Sequence, residues 1–475
     1  MSERSLDLIA VGGGTAGLVT AAGGAGLGAR VALVERDRLG GECLWNGCVP
    51  SKALIAASRA AHAARTASRL GIHPGDVRVA FDEVLDHVRR VQARIAPHDS
   101  PERFRGLGVH VVEGTAQFVK AHTVRVGDEL LTARHIVIAT GTRPAVPPIP
   151  GLSEVPYHTN ETIFSIGALP RTLLVLGGGP IGTELAQAFA RLGSNVYVVE
   201  AAPDFFARED RELAELLQQQ LEREGVKMLL SSTATAVRRD GDDIVLSVSR
   251  GGVLHEVRGD ALLIAVGRQP NVEGLGLDEI GVRTDTGGVI TDGALRTSVK
   301  GVYAAGDIVS GGLKFTHVAD HMARSVLRNA LFPGSSTVDY SAVPWVTYTD
   351  PELAHVGLTE AEARERHGSG VGVWKRELAG VDRVIADAGP AGLVKIITDS
   401  KGRVIGGHIL GAYAGDMIGE LTMAVTLKLN VGQIASVIHP YPTTAEAIRQ
   451  ASEQRRKAGF TGWKKSLASW MARHV

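Results

Sequence analysis

Apolar positions in the first half of the chain fall in short unbroken runs: Leu8-Ile-Ala-Val11, Val31-Ala-Leu-Val34, Ile136-Val-Ile-Ala139, Leu173-Leu-Val-Leu176, Val196-Tyr-Val-Val199 and Leu262-Leu-Ile-Ala265. Runs of this length predict strands. Between them, the small and apolar residues from Ile181 to Leu192 and the alanine-rich stretch Ala53 to Ala64 predict helices, the latter opened by Pro50. From Ala342 the character changes to strands at Val343 to Thr349 and Leu393 to Thr398, with helices between and after.

Two of the runs end in the same spacing of glycines. Gly12, Gly14 and Gly17 follow the first strand, and Gly177, Gly179 and Gly182 follow the strand at Thr172. Each set is G-x-G-x-x-G, and each unit closes on a strand ending in a glutamate, Glu35 and Glu200, 23 positions after its first glycine in both cases. Such βαβ units bring backbone close to a pyrophosphate at a helix N-terminus, and the glutamate accepts hydrogen bonds from a ribose. Each is followed by a second matched strand and turn: His135 to Pro144, carrying Thr140 and Gly141, and Ala261 to Pro270, carrying Gly267. The chain therefore reads as a duplicated nucleotide-binding domain with two dinucleotide sites.

Composition narrows the class. With 475 residues about three domains are expected. Lys plus Arg and Asp plus Glu each number 51, so a general nucleic-acid-binding surface is not implied. No transmembrane span and no signal-peptide layout is read, and a cytoplasmic location is expected. The 16 histidines show no metal-binding clustering, so no metal site is expected. Both cysteines, Cys43 and Cys48, lie in Gly40-Gly-Glu-Cys-Leu-Trp-Asn-Gly-Cys-Val-Pro-Ser-Lys52. Two cysteines are too few for a secreted disulfide framework, so a bridge here would serve chemistry. A thiolate at Cys48 would sit near a helix N-terminus, where the dipole favours negative charge.

This stretch resembles the redox-active disulfide of the FAD-dependent pyridine nucleotide–disulfide oxidoreductases, which include dihydrolipoamide dehydrogenase, glutathione reductase and mercuric reductase. Thr297-Ser-Val-Lys-Gly-Val-Tyr-Ala-Ala-Gly306-Asp307 is similar to the family's second flavin motif, and Tyr348 to Gly357 to the opening of its dimerisation domain. The resemblance implies an α/β fold of two Rossmann-like nucleotide-binding domains, for FAD and NAD, plus a C-terminal α+β dimerisation domain. The expected boundaries are 1–150 for the FAD domain, 151–270 for the nicotinamide domain, 271–341 for the resumed FAD domain, 342–454 for the dimerisation domain and 455–475 for a tail. It further implies FAD bound through Gly12, Gly14, Gly17, Glu35, Lys52, Thr140, Gly141, Gly306 and Asp307, and a nicotinamide nucleotide through Gly177, Gly179, Gly182, Glu200 and Gly267. Because Glu200 is followed by Ala201 and Ala202, with no adjacent arginine for a 2′-phosphate, NADH is expected in preference to NADPH. Cys48 takes the flavin-facing place, Cys43 the interchange place, and Lys52 the place of a lysine paired with a glutamate that maps to Glu184. Each site of a homodimer is completed by the partner's C-terminal residues.

The family's base is a histidine followed by proline and, five positions on, by a glutamate. Five before Glu446 stands Tyr441, and His439 lies two positions too early. Mercuric reductases are similar in placing tyrosine there, and Phe205-Phe-Ala-Arg-Glu-Asp210 resembles them too, yet this chain has no further cysteine pair. The leading reading is an NADH-dependent flavoprotein that passes electrons through the cysteine pair to a disulfide, metal ion or small oxidant. The alternatives are a dihydrolipoamide dehydrogenase and a redox-inactive scaffold flavoprotein. The tail carries Arg455, Arg456, Lys457, Lys464, Lys465 and Arg473, with Phe460, Trp463, Leu467, Trp470 and Met471 on one helical face. It suits an anionic membrane surface or packing on its own dimer equally.

Overall fold

The first strand, Arg4–Val11, has parallel neighbours on both sides and is covered on both faces, so Leu8, Ile9, Ala10 and Val11 are all buried and the run admits no polar alternation. A computed structural model of the chain describes residues 4–460 and 462–474. In the first sheet the strands lie in the order His110–Glu113, Val31–Glu35, Arg4–Val11, Glu129–Ile138, Thr123–Val126 and Ala116–Lys120. A seventh strand, Val302–Ala304, returns from far along the chain to pair in parallel with Glu129–Ile138, Val302 opposite Ile136 and Ala304 opposite Ile138. Its return delivers Gly306 and Asp307 to the same cleft as the first glycine turn.

The second sheet repeats the first in smaller form, with parallel order Val226–Leu229, Asn195–Val199, Thr172–Leu176, Ala261–Ile264. An antiparallel three-stranded sheet, Ser232–Asp240, Asp243–Arg250 and Val253–Gly259, shares a core with it. The two matched turns pair with each other: Thr142–Pro144 runs antiparallel to Arg268–Pro270, with Arg143 opposite Gln269. These two residues hold equivalent places in the internal repeat, 126 positions apart, the same offset that separates His135 from Ala261. A local two-fold relation between the halves therefore passes through this pair, and the ribbon fixes one nucleotide domain against the other.

The third unit is a five-stranded antiparallel sheet in the order Pro344–Thr347, Glu352–Gly357, Val404–Gly411, Leu393–Thr398, Gly372–Glu377, with helices Ala414–Thr426 and Glu446–Gly459 on it. Two buried ion clusters dock the nicotinamide unit against this one. Arg191, 4 % exposed in its side chain, holds Glu224 at 2.7 Å and Asp350 at 2.6 Å. Lys395, equally buried, holds Asp210 at 2.8 Å and Glu360 at 2.7 Å. Removing one partner from such a cluster strands a buried charge, at a cost of about 3–5 kcal/mol. The stretch Phe205 to Asp210 belongs to this docking: Phe205 is in the core, Glu209 accepts 2.6 Å from Trp345 Nε1, and Asp210 receives Lys395.

The chain end differs from the expected division. Arg455, Arg456 and Lys457 continue the helix Glu446–Gly459, whose Ala447, Ile448 and Ala451 are buried, so the boundary at 454/455 falls inside a helix. The buried positions of that helix end before the basic residues: Arg455 Nη1 donates to Asn430 Oδ1 at 3.1 Å, and Arg456 and Lys457 are exposed. The tail proper is the separate helix Trp463–His474.

Candidate functional site

The two glycine turns share a geometry that explains every glycine in them. Gly12 and Gly177 have φ of +112° and +109°, and a Cβ there would meet Ala139 O at 2.3 Å and Ala265 O at 2.4 Å. Gly17 and Gly182 would each drive a methyl into the carbonyl of the first glycine. Gly14 and Gly179 are different: no protein atom lies within 4 Å of the added Cβ, so what their bare backbone serves is approach from the cleft side. Glu35 and Glu200 close the turns identically. Glu35 Oε2 accepts from Gly13 N at 2.5 Å and Oε1 from Asp37 N at 2.8 Å; Glu200 accepts from Gly178 N at 2.7 Å and Ala202 N at 2.8 Å. Each turn thus fits a dinucleotide, with an open backbone face at a helix N-terminus and a fixed carboxylate at the strand end.

A cleft of about 920 Å³ runs from Glu35 and the first turn past Thr140, Gly141 and Asp307 to Cys43, Cys48, Lys52 and Glu184. Its length and continuity fit FAD laid from the glycine turn to the cysteines. Burial raises the Asp307 carboxyl above its ordinary value, while Arg268 and Lys314 oppose the shift. Thr142 Oγ1 donates to Asp307 at 3.4 Å. The second turn's Gly177, Gly179, Glu200 and Gly267 are not among the lining residues, so they form a separate place beside it.

Three residues the sequence reading did not single out as site residues sit in this cleft. Glu42, next to Cys43, accepts from Arg268 Nη1 at 2.7 Å and from Asn160 Nδ2 at 2.5 Å. Arg268 also donates from Nε to Thr142 Oγ1 at 2.7 Å. Glu42 is raised by burial even against Arg268. This network ties the cysteine loop to the paired ribbon. The Gly-Gly-Glu spelling was the one signal available, and it named only one partner.

Cys43 lies on the short helix Gly41–Trp45 and Cys48 opens the helix Cys48–Thr66. Both are free thiols, Cys43 half-buried and Cys48 exposed to the cleft. Cys48 is lowered to about 6, first by a hydrogen bond from Cys43, then by the Thr316 hydroxyl at 3.6 Å and the Lys52 charge, against the opposing effect of burial. Cys43 is pushed the other way, because it donates to Cys48 and is itself desolvated. The shared hydrogen bond therefore favours the thiolate at Cys48 and the thiol at Cys43.

Lys52, one turn along the helix from Cys48, meets Glu184 with Nζ to Oε2 at 2.8 Å and lies 4.4 Å above the Tyr348 ring. Glu184 is buried, and its other oxygen accepts from Tyr348 N at 2.8 Å. The two residues are 132 positions apart, and the packing of the helix Cys48–Thr66 on the helix Pro180–Leu192 brings them together.

Tyr441, His439 and Glu446 do not line this cleft. They lie on the third unit, where Tyr441 is 69 % exposed and its hydroxyl donates to Asp382 Oδ2 at 2.9 Å. That carboxylate raises the phenol above its ordinary value. Glu446 is held by Arg449 at 2.6 Å, and its charge adds to that of Asp382 in raising the Tyr441 phenol. His439 packs with both ring nitrogens against acceptors, Nδ1 near Val437 O and Nε2 near Glu420, each at 3.1 Å, so neither nitrogen is open to the cleft.

Residues 6–323 match the family model described as pyridine nucleotide-disulphide oxidoreductase, and residues 343–452 match that family's dimerisation domain. A mercuric reductase of Streptomyces lividans is 36 % identical over 462 residues, covering 95 % of this chain and 96 % of its own. A dihydrolipoyl dehydrogenase of Geobacillus stearothermophilus is 34 % identical over 460 residues, covering 94 % and 95 %. Among solved structures, the Cu(II) complex of the HOCl-induced flavoprotein disulfide reductase RclA from Escherichia coli superposes with a TM-score of 0.86 at 28 % identity, covering 96 % of this chain and 100 % of that one.

Proposed function

The chain belongs to the pyridine nucleotide-disulphide oxidoreductase family, and from that membership we propose a homodimeric, NADH-dependent flavoprotein that reduces a soft metal ion or other small oxidant at Cys43 and Cys48. The observation that carries the choice of acceptor is Tyr441: a phenol bound to Asp382 stands where a thiol–disulfide enzyme of the family needs a base. The relative named mercuric reductase and the neighbour solved with Cu(II) support a metal acceptor.

FAD, when bound, supplies the two-electron connection between nicotinamide and sulfur. The protein's own groups do the rest. Two electrons and one proton convert the Cys43–Cys48 disulfide to a Cys48 thiolate and a Cys43 thiol; the acceptor removes the electrons and the disulfide re-forms. Lys52 keeps positive charge beside Cys48 and Glu184 fixes Lys52. Soft thiolates suit a soft cation, and metal reduction needs no base to take a proton from an incoming dithiol. Tyr441, brought by a partner subunit, would donate a hydrogen bond to a thiolate once released from Asp382. The test is a steady-state screen with NADH against Hg(II), Cu(II), quinones, glutathione disulfide and lipoamide. Metal or small-oxidant turnover well above lipoamide turnover is expected, and the reverse order would replace this reading with a dihydrolipoamide dehydrogenase.

Nucleotide choice follows from Glu200. Its carboxylate is pinned at the strand end by Gly178 N and Ala202 N, where it suits a ribose hydroxyl and repels a 2′-phosphate. NADH should exceed NADPH in kcat/KM by about tenfold, roughly 1.4 kcal/mol. Glu200→Ala should narrow that ratio. An NADPH preference in the unaltered protein would assign the phosphate to Arg208, which is exposed in the following loop.

A further inference from the structure

We propose that the helix Trp463–His474 docks the enzyme on an anionic lipid surface. None of its residues is buried: Trp463 is 70 %, Leu467 46 %, Trp470 57 % and Met471 48 % exposed. With 3.6 residues per turn, these four and His474 fall in one arc about 100° wide. Lys464 borders the arc on one side and Arg473 on the other, so both long side chains reach past the apolar stripe toward headgroups.

Charge selects the occupant. Arg455, Arg456, Lys457, Lys464, Lys465 and Arg473 are joined by no Asp or Glu after Glu453. Arg455 is tied to Asn430 Oδ1 at 3.1 Å and Lys465 lies on the face of the helix opposite the apolar arc, so Lys464 and Arg473 are the charges beside the docking face. Two such tails repel each other, which disfavours a second copy of the tail, whereas anionic headgroups complement these cations. Paired tryptophans beside lysines are suited to the boundary between headgroups and acyl chains. The helix has 12 residues, about 18 Å of length, and so lies on a bilayer that needs about 30 Å to cross. Among the described residues no helix is long and apolar enough to span. Gly462, at φ +56°, lies between this helix and the anchored helix Glu446–Gly459. A helix this short is marginal alone in water, so binding also completes its folding.

The test uses the full-length flavin-loaded protein, sedimented with phosphatidylcholine vesicles with and without phosphatidylglycerol at low salt. At least about fivefold more protein should pellet with the anionic vesicles, and added salt should release it. The W463A/W470A and K464E/K465E variants should each stay in solution while retaining dimer mass and turnover of a soluble acceptor. Equal pelleting with both vesicles, pelleting with neither, or variants that bind like the parent would overturn the proposal. Loss of dimer mass in W463A/W470A would assign the face to the partner subunit instead.

Discussion

Cys48→Ser is expected to lower NADH-dependent reduction of every acceptor by about three orders of magnitude while FAD stays bound, because the residue supplies a sulfur that no neighbour replaces. In the parent protein, two electrons per FAD under anaerobic conditions should produce a long-wavelength charge-transfer band from the Cys48 thiolate, and Cys48→Ser should lack it. The band also reads the charge on sulfur. Cys48 is lowered to about 6, so its thiolate is present above that pH and is lost as the pH falls through it. At pH 7 the thiolate form of Cys48 is then favoured, whereas a cysteine near 8.5 is about 3 % ionised. Thr316→Val removes a donor to the thiolate and Lys52→Met removes a cation, so each should move the midpoint of the band upward. Glu184→Gln removes the carboxylate that opposes ionisation and should move it downward. Opposite signs from two members of one ion pair are a sharper test than loss of activity. Direct passage to reduced flavin with no band, or a midpoint near 8.5, would remove Cys43 and Cys48 from the redox role.

What could be read from the sequence was what steric necessity writes locally. Gly12, Gly17, Gly177 and Gly182 are glycines because a methyl would strike a carbonyl, and the apolar runs are unbroken because their strands are buried on both faces. The duplication was legible for the same reason, and the structure adds that its matched turns pair with each other. Contacts made at long separation left no local trace. Glu42 and Arg268 lie 226 positions apart, and each alone looks like an ordinary solvated charge. Tyr441 and Asp382, 59 apart, are no more visible. The Lys52–Glu184 pair escaped that obscurity only because the resemblance named both members. The stretch Phe205 to Asp210 shows the converse: a motif read as a sign of the acceptor turns out to dock two domains, through Trp345 and Lys395. It therefore says less about the substrate than Tyr441 does.

Tyr441→His is expected to raise dihydrolipoamide oxidation by about tenfold to a hundredfold, and Tyr441→Phe to lower turnover of the physiological acceptor. A tyrosine near 10 is ionised about 0.1 % of the time at pH 7, whereas a histidine near 6.5 is largely in its basic form. Asp382 makes the phenol poorer still as a base, since ionisation would set two anions in contact and lose the hydrogen bond that Tyr441 donates. The same contact keeps the one phenol proton on the oxygen, so Tyr441 serves a thiolate as a donor by exchanging Asp382 for it. In the histidine variant the new ring would need an acceptor for its distal nitrogen. Asp382 already occupies that role for the phenol, while Glu446 is engaged by Arg449. Adding Asp382→Asn or Glu446→Ala to Tyr441→His, and seeing which erases the gain, identifies the orienting carboxylate. His439 does not compete for the part, because Val437 O and Glu420 occupy both of its nitrogens. His439→Ala should therefore leave acceptor specificity unchanged. Rapid dihydrolipoamide oxidation by the parent protein, abolished by His439→Ala, would make His439 the base and return the chain to the dehydrogenases.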